Sequence, residues 1–330
     1  MRQLFHVTPS GWAGLATAAF GILVLPSLAN SYWLSVFTSM GCFLLAIAGV
    51  AFMYARLGMV SLTQVGLMGV GGWIALRLNY AFDFPFEVNL ALAATATMIF
   101  GWILALPALR MRGLYLALVT LMAAGGLEIL FATFQFPNGG AGFWGVQTGS
   151  GAAFRRPWIA QSAQAYLRYV IACALLGFLC IELHRRLQPG RAWALIRRSE
   201  AAAMAAGVNV TLYKTWAFGI AGLLGGAAGA LLAGSLGLLD DGTFRASESV
   251  MIFALAVVGG AHSWQGALVA ALLYKVLPAL LNIWGVDANL SFVIFGAGLL
   301  HAVITAPQGI AGQLLDGLRR LSPKREAKDA

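Results

Sequence analysis

Ionisable side chains are rare in this chain, and those within apolar stretches are the ones whose chemistry needs an explanation. Glu128 lies several turns into GLYLALVTLMAAGGLEILFATF, and Lys275 lies inside the apolar stretch 265–284. An ionised group at depth in a membrane is costly and is by default a functional-site hypothesis. Glu128 could instead be solvated near an interface or cap a neighbouring helix, and Lys275 must snorkel or face protein.

The usual motifs for catalysis and nucleotide binding are absent from the sequence. It contains no GxxxxGK[ST] phosphate loop, no HExxH motif and no TVGYG-type filter. The three cysteines, Cys42, Cys173 and Cys180, lie in apolar segments without redox or metal spacing. His262 and His301 are isolated. The sequence therefore predicts a protein that is not an enzyme and that binds no metal or cofactor itself.

The composition indicates a chain whose solvent is mostly lipid. Sixty per cent of the residues are hydrophobic and 10% are charged, whereas soluble domains average about half and about a quarter. The net charge of +9 is explained by basic residues that flank apolar spans, and no RGG tract or basic aromatic helix suggests nucleic acid. We therefore predict an all-α, polytopic integral membrane protein with a single transmembrane domain over residues 1–330.

Ten apolar segments are predicted to be membrane segments. They run at about 11–29, 32–55, 58–78, 88–109, 113–135, 165–183, 215–237, 249–261, 265–284 and 288–306. The eighth is too short to cross about 30 Å of hydrocarbon as a straight helix, so it is predicted to be tilted, broken or re-entrant. The first segment resembles a signal peptide, but we expect it to be retained as a helix.

Small residues line one face of the seventh segment. Gly222, Gly226 and Ala230 are spaced four residues apart and form a single ridge along the predicted helix. Such ridges let helix backbones approach closely in lipid. The ridge predicts tight packing, either within the chain or against another subunit.

The distribution of basic residues predicts the orientation. With both termini in the cytosol, fifteen lysines and arginines fall on the cytosolic side and five on the opposite side. Cytosolic loops carry the excess of basic residues in membrane proteins. The prediction is an N-in, C-in topology in which residues 184–214 form a cytosolic loop and residues 136–164 form a periplasmic loop.

The predicted cytosolic loop contains a short helix that is rich in alanine. After Pro189 and Gly190, the run RAWALIRRSEAAAMAAG has strong helix formers and ends at Gly207, a suitable C-terminal stop. The small alanines around Glu200 leave a shallow surface over which a partner's groove can close. An amphipathic helix resting on anionic lipid is the alternative interpretation.

The run SEAAAMAAGVNVTLYK, residues 199–214, resembles the EAA loop of ABC-importer permeases. Its spacing is closest to that of the branched-chain amino acid permeases (LivH/LivM family), LivM type. In that family the loop docks into ATPase subunits, which use ATP and Mg²⁺, so the resemblance implies a coupling role for four residues here. These are Glu200, Ala202, Ala203 and Gly207. The resemblance also implies a second, LivH-like permease subunit, a periplasmic solute-binding protein and a place in the bacterial inner membrane.

Four further stretches are similar to segments of this family. Residues 57–66 resemble its G-x-x-S-L-G-x-x-x-F segment, with Thr63 and Gln64 where glycine and histidine are usual. Residues 113–121 resemble the start of its fifth span, residues 138–142 its T-G-G-S-x-G loop, and residues 258–267 its G-G-x-G-x-x-x-G-P-x-x-G stretch. The resemblance therefore covers most of the chain.

Eight residues are predicted to line the substrate pathway. They are Ser61, Gln64, Gly71, Gly72, Glu128, Asn138, Gly139 and Gly140. Arg155 and Arg156 are predicted to contact the binding protein, with ordinary loop charge as the alternative.

The leading functional hypothesis is the permease subunit of a binding-protein-dependent ABC importer for branched-chain or related amino acids. Related permeases carry urea, short amides or aromatic acids, and the sequence leaves the solute open. The main alternative is a secondary transporter that uses Glu128 as a proton or cation site. A third possibility, an intramembrane enzyme, lacks paired catalytic groups.

Overall fold

A computed structural model describes residues 9–109, 111, 113–134, 154–287, 290–305 and 309–313. Within these residues the fold is all-helical and contains no strand, as predicted. The α-helices are α1 (Pro9–Leu23), α2 (Leu25–Leu28), α3 (Ser31–Leu57), α4 (Gln64–Phe82), α5 (Phe86–Ala108), α6 (Leu114–Thr133), α7 (Ala163–Arg186), α8 (Gln188–Arg198), α9 (Glu200–Ala205), α10 (Val210–Leu236), α11 (Ala246–Gly259), α12 (Trp264–Ala271), α13 (Leu277–Ile283) and α14 (Leu290–Thr305). A π-helical turn, Leu272–Val276, joins α12 to α13.

Six helical segments in the described part of the chain are long and apolar enough to cross a membrane. They are α3, α5, α6, α7, α10 and the continuous stretch Trp264–Ile283. Two shorter apolar helices are Ala16–Leu28 and α11, and the remaining predicted segments correspond to α4 and α14. The prediction of a polytopic helical membrane protein is therefore confirmed.

α10 lies at the centre of the bundle and packs against α3, α4 and α5. Its ridge of small residues faces neighbours within the same chain. A Cβ on Gly71 of α4 would meet the backbone of Gly226, and a Cβ on Gly222 would meet the backbone of Thr97 in α5, each at under 3.0 Å. Side chains larger than hydrogen have no room at these crossings, so glycine sets the closeness of the helices.

α3 is the second buried helix, and both of its ends have capping residues. The side-chain oxygen of Asn30 accepts a hydrogen bond from Trp33 N at 3.0 Å, which satisfies one of the free donors of the first turn. At the other end Gly58 has φ +68°, a left-handed conformation that glycine adopts without steric cost. From residue 41 onward nearly every side chain is buried, as expected for a helix that is apolar on all sides.

The chain is not helical between α3 and α4, over residues 58–63. The third predicted segment began at residue 58, but the helix begins at Gln64, whose Nε2 donates to the carbonyl of Ala221 at 3.0 Å. Ala221 lies eleven residues into α10, about 16 Å along that helix. α4 therefore starts near the middle depth of the bundle, because residues 58–63 turn back into it.

Side chains from distant helices satisfy the backbone at this break. Leu62 N donates to Thr120 Oγ1 of α6 at 3.0 Å, and Val65 N donates to Ser249 Oγ of α11 at 3.1 Å. Non-helical backbone at membrane depth is tolerated only when protein groups satisfy it in this way.

Candidate functional site

The loops of the bundle gather at two ends with different chemistry. At one end Arg197 donates to the carbonyl of Ala55 and lies 3.1 Å from Nε2 of His262. These two contacts join the end of α3, the loop 187–209 and the turn 260–263. We call this end of the bundle the basic end. At the opposite end Phe154 N donates to the carbonyl of Gly237 at 3.2 Å. The predicted coupling residues all lie at the basic end.

α8 attaches the loop 187–209 to the bundle through a buried face. Trp193 is fully buried, its Nε1 donates to the carbonyl of Tyr213 at 2.9 Å, and its ring centroid lies 5.0 Å from that of Phe52. Ile196, one turn further, is also buried. Trp193 was not among the predicted site residues, although the helical spacing of Trp193 and Ile196 is a signal that could have identified it. The loop is therefore held against both α3 and α10.

α9 is a single short helix with defined ends. Ser199 caps its start by accepting from Ala202 N at 3.2 Å. At its end Gly207 has φ +80°, Gly207 N donates to Met204 O, and Val208 N donates to Ala203 O, both at 2.9 Å. This pair of bonds is the Schellman motif, which explains the requirement for glycine at position 207.

An ion pair closes the loop onto α10. Nζ of Lys214 lies 2.6 Å from Oε1 of Glu200, and the two side chains are 7% and 25% exposed. A buried ammonium is costly unless it is paired, so Glu200 stabilises Lys214 in the first turns of α10. The coupling role of Glu200 stays a prediction, and any partner would meet this carboxylate already engaged.

The alanines of α9 divide into a buried and an exposed set. Ala203 is fully buried, so its side chain packs against the bundle. Ala202 and Gly207 are exposed, as is Met204, with 56% of its surface accessible. The surface offered to a partner therefore consists of small side chains around one flexible, apolar methionine.

His262 contacts Arg197 of the loop 187–209, and its surroundings lower its pKa. Partial burial, and then the nearby Arg197 and Arg56, lower its pKa below the usual value of 6.5. Its Nε2 can accept from Arg197 only when the imidazole is neutral. The unfolded chain therefore binds this proton more readily than the folded chain. The stabilising contribution is present above pH 6.5 and is lost as pH falls through the folded pKa.

We predict that the melting temperature of the detergent-solubilised protein falls between about pH 7 and about pH 5, and that His262→Gln reduces this fall. The glutamine variant can still hydrogen-bond to Arg197 but cannot become charged. Differential scanning fluorimetry of both proteins across this range measures the effect. Parallel curves would show that His262 does not contribute to the pH dependence.

The predicted pathway residues of α4 and the break before it lie in the packed interior. Ser61 is buried, and its Oγ lies 3.1 Å from Oγ1 of Thr63, while Gln64 is bound to Ala221. Gly71 and Gly72 pack against the α10 side of the bundle. Three of these four residues thus lie on α4 and Ser61 lies in the break before it, and their role in the pathway stays a prediction. Asn138, Gly139 and Gly140 lie outside the described residues.

Glu128 caps a neighbouring helix, one of the alternatives considered from the sequence. Its Oε2 accepts a hydrogen bond from Ala246 N at 2.8 Å, at the first residue of α11. The side chain is half-buried. A carboxylate at a helix N-terminus interacts favourably with the free backbone donors and the helix dipole.

The two arginines predicted to contact the binding protein differ in their surroundings. Arg156 donates to the carbonyls of Gly234 and Ser235, both at 3.3 Å, and its guanidinium lies 5.0 Å from the ring centroid of Tyr166. It thus satisfies carbonyls at the C-terminal end of α10. Arg155 is exposed at the same end of the bundle and remains the better placed of the two for an external contact.

Among the described residues, no group of three or more His, Cys, Asp or Glu side chains is arranged to hold a metal ion.

An apolar helical bundle with six helical segments in its described part that are long enough to span a bilayer defines a multi-pass membrane protein. Comparison with known proteins agrees: residues 32–303 match the family described as branched-chain amino acid transport system / permease component. The chain is 28% identical over 318 residues to the high-affinity branched-chain amino acid transport system permease protein LivM of Salmonella typhimurium, covering 86% of this chain and 73% of that protein. It is 28% identical over 298 residues to LivM of Escherichia coli, covering 80% and 69%.

The chain therefore belongs to this family of permease components, and the predicted resemblance is confirmed. It is a transmembrane permease subunit of an ABC importer, a multi-pass protein of the inner membrane, and not itself an enzyme. No solved structure matches the chain at a significant level.

Proposed function

We propose that this chain carries branched-chain amino acids across the inner membrane and that separate ATPase subunits dock on its α8–α9 loop. The observation that carries the proposal is the construction of the loop. Trp193 fixes it to the bundle, Ser199 and Gly207 define α9, and the pair Glu200–Lys214 closes it. A loop held at this many points is preorganised, which lowers the entropic cost of binding a partner. The names of the LivM relatives support the choice of solute.

The proposed topology places the basic end in the cytosol, with ten membrane segments and both termini inside. The positive-inside asymmetry of fifteen basic residues against five supports it. α11 has 14 residues, about 21 Å, and so is shorter than the hydrocarbon core of about 30 Å. In this topology the turn Asp241–Phe244 re-enters the outer half of the membrane before α11 begins.

In the proposed mechanism, the α8–α9 loop transmits ATPase movement to the membrane helices. Trp193 contacts α3 through Phe52 and α10 through Tyr213, so a displacement of the loop acts on both central helices. Arg197 adds a connection to the turn before α12. ATP would favour one conformation through the differential affinity of the ATPases for the two states. A second, LivH-like permease and a periplasmic binding protein complete the proposed assembly.

Glu128 is the residue that best distinguishes the proposed ABC permease from an autonomous secondary transporter. Its carboxylate already accepts from the first backbone donor of α11, which favours a capping role over a proton-binding role. A glutamine at this position would keep an oxygen acceptor, whereas a leucine would leave the donor unsatisfied. Loss of such a cap costs about 1 kcal/mol.

The test is solute uptake into proteoliposomes that contain the assembled importer with its binding protein. We expect leucine uptake to require ATP. Glu128→Gln should retain at least about half of the activity, because glutamine keeps an oxygen that can accept from Ala246 N. Glu128→Leu should lower the melting temperature, because it leaves this donor without a cap. Matched liposomes containing this chain alone, with a proton or sodium gradient, serve as the control. Uptake by the chain alone, abolished by Glu128→Gln, would contradict the proposal and support secondary transport.

A further inference from the structure

Lys275 is an ionisable residue inside the membrane-spanning stretch Trp264–Ile283. The proposed docking of ATPase subunits gives it no role. Lys275 lies in the π-helical turn Leu272–Val276, eleven residues after Trp264 and eight before Ile283. These separations correspond to about 16 Å and about 12 Å of helix. The four-carbon stem of lysine covers only part of either distance, so Lys275 cannot place its ammonium at a membrane surface by snorkelling.

Aromatic rings provide the immediate surroundings of the Lys275 ammonium. Nζ lies 4.2 Å from the ring centroid of Phe43 and 4.6 Å from that of Tyr274. Cation–π contacts stabilise a desolvated ammonium but use none of its N–H donors. Within the described part of the chain, Nζ forms no ion pair. The two rings thus hold the ammonium in place without using its N–H donors.

A carboxylate lies close to this ammonium without neutralising it directly. Glu248, in the first turn of α11, accepts a hydrogen bond from the hydroxyl of Tyr274 at 2.7 Å through Oε2. Tyr274 also contacts the ammonium of Lys275 through its ring. Both charged side chains are half-buried, and neither is sealed in the core. Tyr274 therefore holds one negative and one positive group near each other but apart.

We infer that Glu248, Tyr274 and Lys275 form a binding site for the zwitterionic headgroup of an α-amino acid within the membrane. Lys275 would bind the carboxylate and Glu248 the ammonium, with Tyr274 as a positioning residue. An amino acid at this depth loses water from both charged groups, and fixed opposite charges replace that hydration. π-helical turns are frequently found at functional sites. The inference rests on the proposed function and deepens it, because neutral urea and amides would not match both charges.

The test measures binding of three ligands to the assembled importer in nanodiscs, without binding protein, by saturation-transfer NMR. The ligands are leucine, leucinamide, which lacks the carboxylate, and 4-methylpentanoate, which lacks the ammonium. For the wild-type complex we expect leucine to bind at least about tenfold more tightly than either analogue, because a hydrogen bond to a charged group contributes this much or more. Equal binding of all three ligands by the wild type would overturn the inference without any variant.

The variants test each charge separately. Lys275→Met should weaken leucine about tenfold while leaving leucinamide unchanged, and Glu248→Gln should weaken leucine while leaving 4-methylpentanoate unchanged. Lys275→Arg, which keeps the charge, should retain the preference for leucine over leucinamide. A structural role, or a contact with the second permease, would instead lower binding of all three ligands together, and that result would overturn the inference.

Uptake measurements separate this inference from the proposed function. ATP-driven leucine uptake by wild-type complex that shows no headgroup preference would leave the proposed function standing and remove the site. Absence of ATP-driven amino acid uptake, with intact complex and binding protein, would count against the proposed function itself.

Discussion

Arginine in place of Ala202 is expected to abolish association with the ATPase subunits and leave the permease folded. Ala202 is exposed on α9, where the proposed partner meets a surface of small side chains. A long charged side chain there would keep the two surfaces apart, and disruption of a central interface position commonly costs 2 kcal/mol or more, about thirtyfold or more in Kd. Arginine favours helix, so the stability of α9 should change little. Affinity co-purification and ATP-driven uptake measure the two consequences.

Ala163→Arg is the matched control for this experiment. Ala163 is also an exposed alanine in the first turn of a helix, but it lies at the opposite end of the bundle. The Ala163→Arg variant should retain both ATPase association and uptake. Ala203→Arg would not be informative, because Ala203 is fully buried and the variant would unfold the loop. Wild-type association by Ala202→Arg would show that α9 is not the docking surface.

Alanine in place of Gly71 is expected to destabilise the whole bundle by about 3 kcal/mol, at the upper end of the usual cost of overpacking. The added Cβ would lie under 3.0 Å from the backbone of Gly226, and backbone cannot rotate away as a side chain can. α4 and α10 would have to separate along their crossing, which includes Gly229 against the backbone of Met68. Thermal unfolding in detergent, followed by circular dichroism, measures the loss.

Gly125→Ala provides the same chemical change without the close contact. Gly125 lies in α6, and no atom lies within 4 Å of the position its Cβ would take. Because glycine disfavours helix by up to about 1 kcal/mol relative to alanine, this variant should be at least as stable as the wild type. If Gly71→Ala and Gly125→Ala melted together, the glycine crossing would not determine the stability of the bundle.

The helices could be predicted from the sequence more readily than the break between α3 and α4. Hydrophobic runs determine where helices lie in a membrane, and each predicted segment overlaps at least one helix. Residues 58–63 include Met59, Val60 and Leu62 and continue directly into an apolar run, so hydropathy places them in the same helix. Within the break Leu62 N is bound to Thr120, and just after it Val65 N is bound to Ser249, and such long-range partners leave no local pattern.

The loop 187–209, the proposed docking surface, shows the same division between features that neighbouring residues determine and features that the tertiary fold determines. Ser199 and Gly207 could be recognised because caps and stops are properties of neighbouring residues. The alanines at 202 and 203 are identical by sequence, yet one is exposed and the other buried, because the face that packs depends on where α9 meets the bundle. The sequence left open whether Glu128 is a functional site, is solvated near an interface or caps a helix. Only the position of Ala246, 118 residues later, shows that it caps α11.

The break before α4 has a consequence for biosynthesis. Val65 N depends on Ser249, 184 residues further along the chain, and the side chain of Gln64 depends on Ala221. When the first half of the protein has entered the membrane, these partners have not yet been made. The start of α4 must therefore be provisional during translation, satisfied by water or by an alternative helical conformation, and it reaches its final form only after α11 has been inserted.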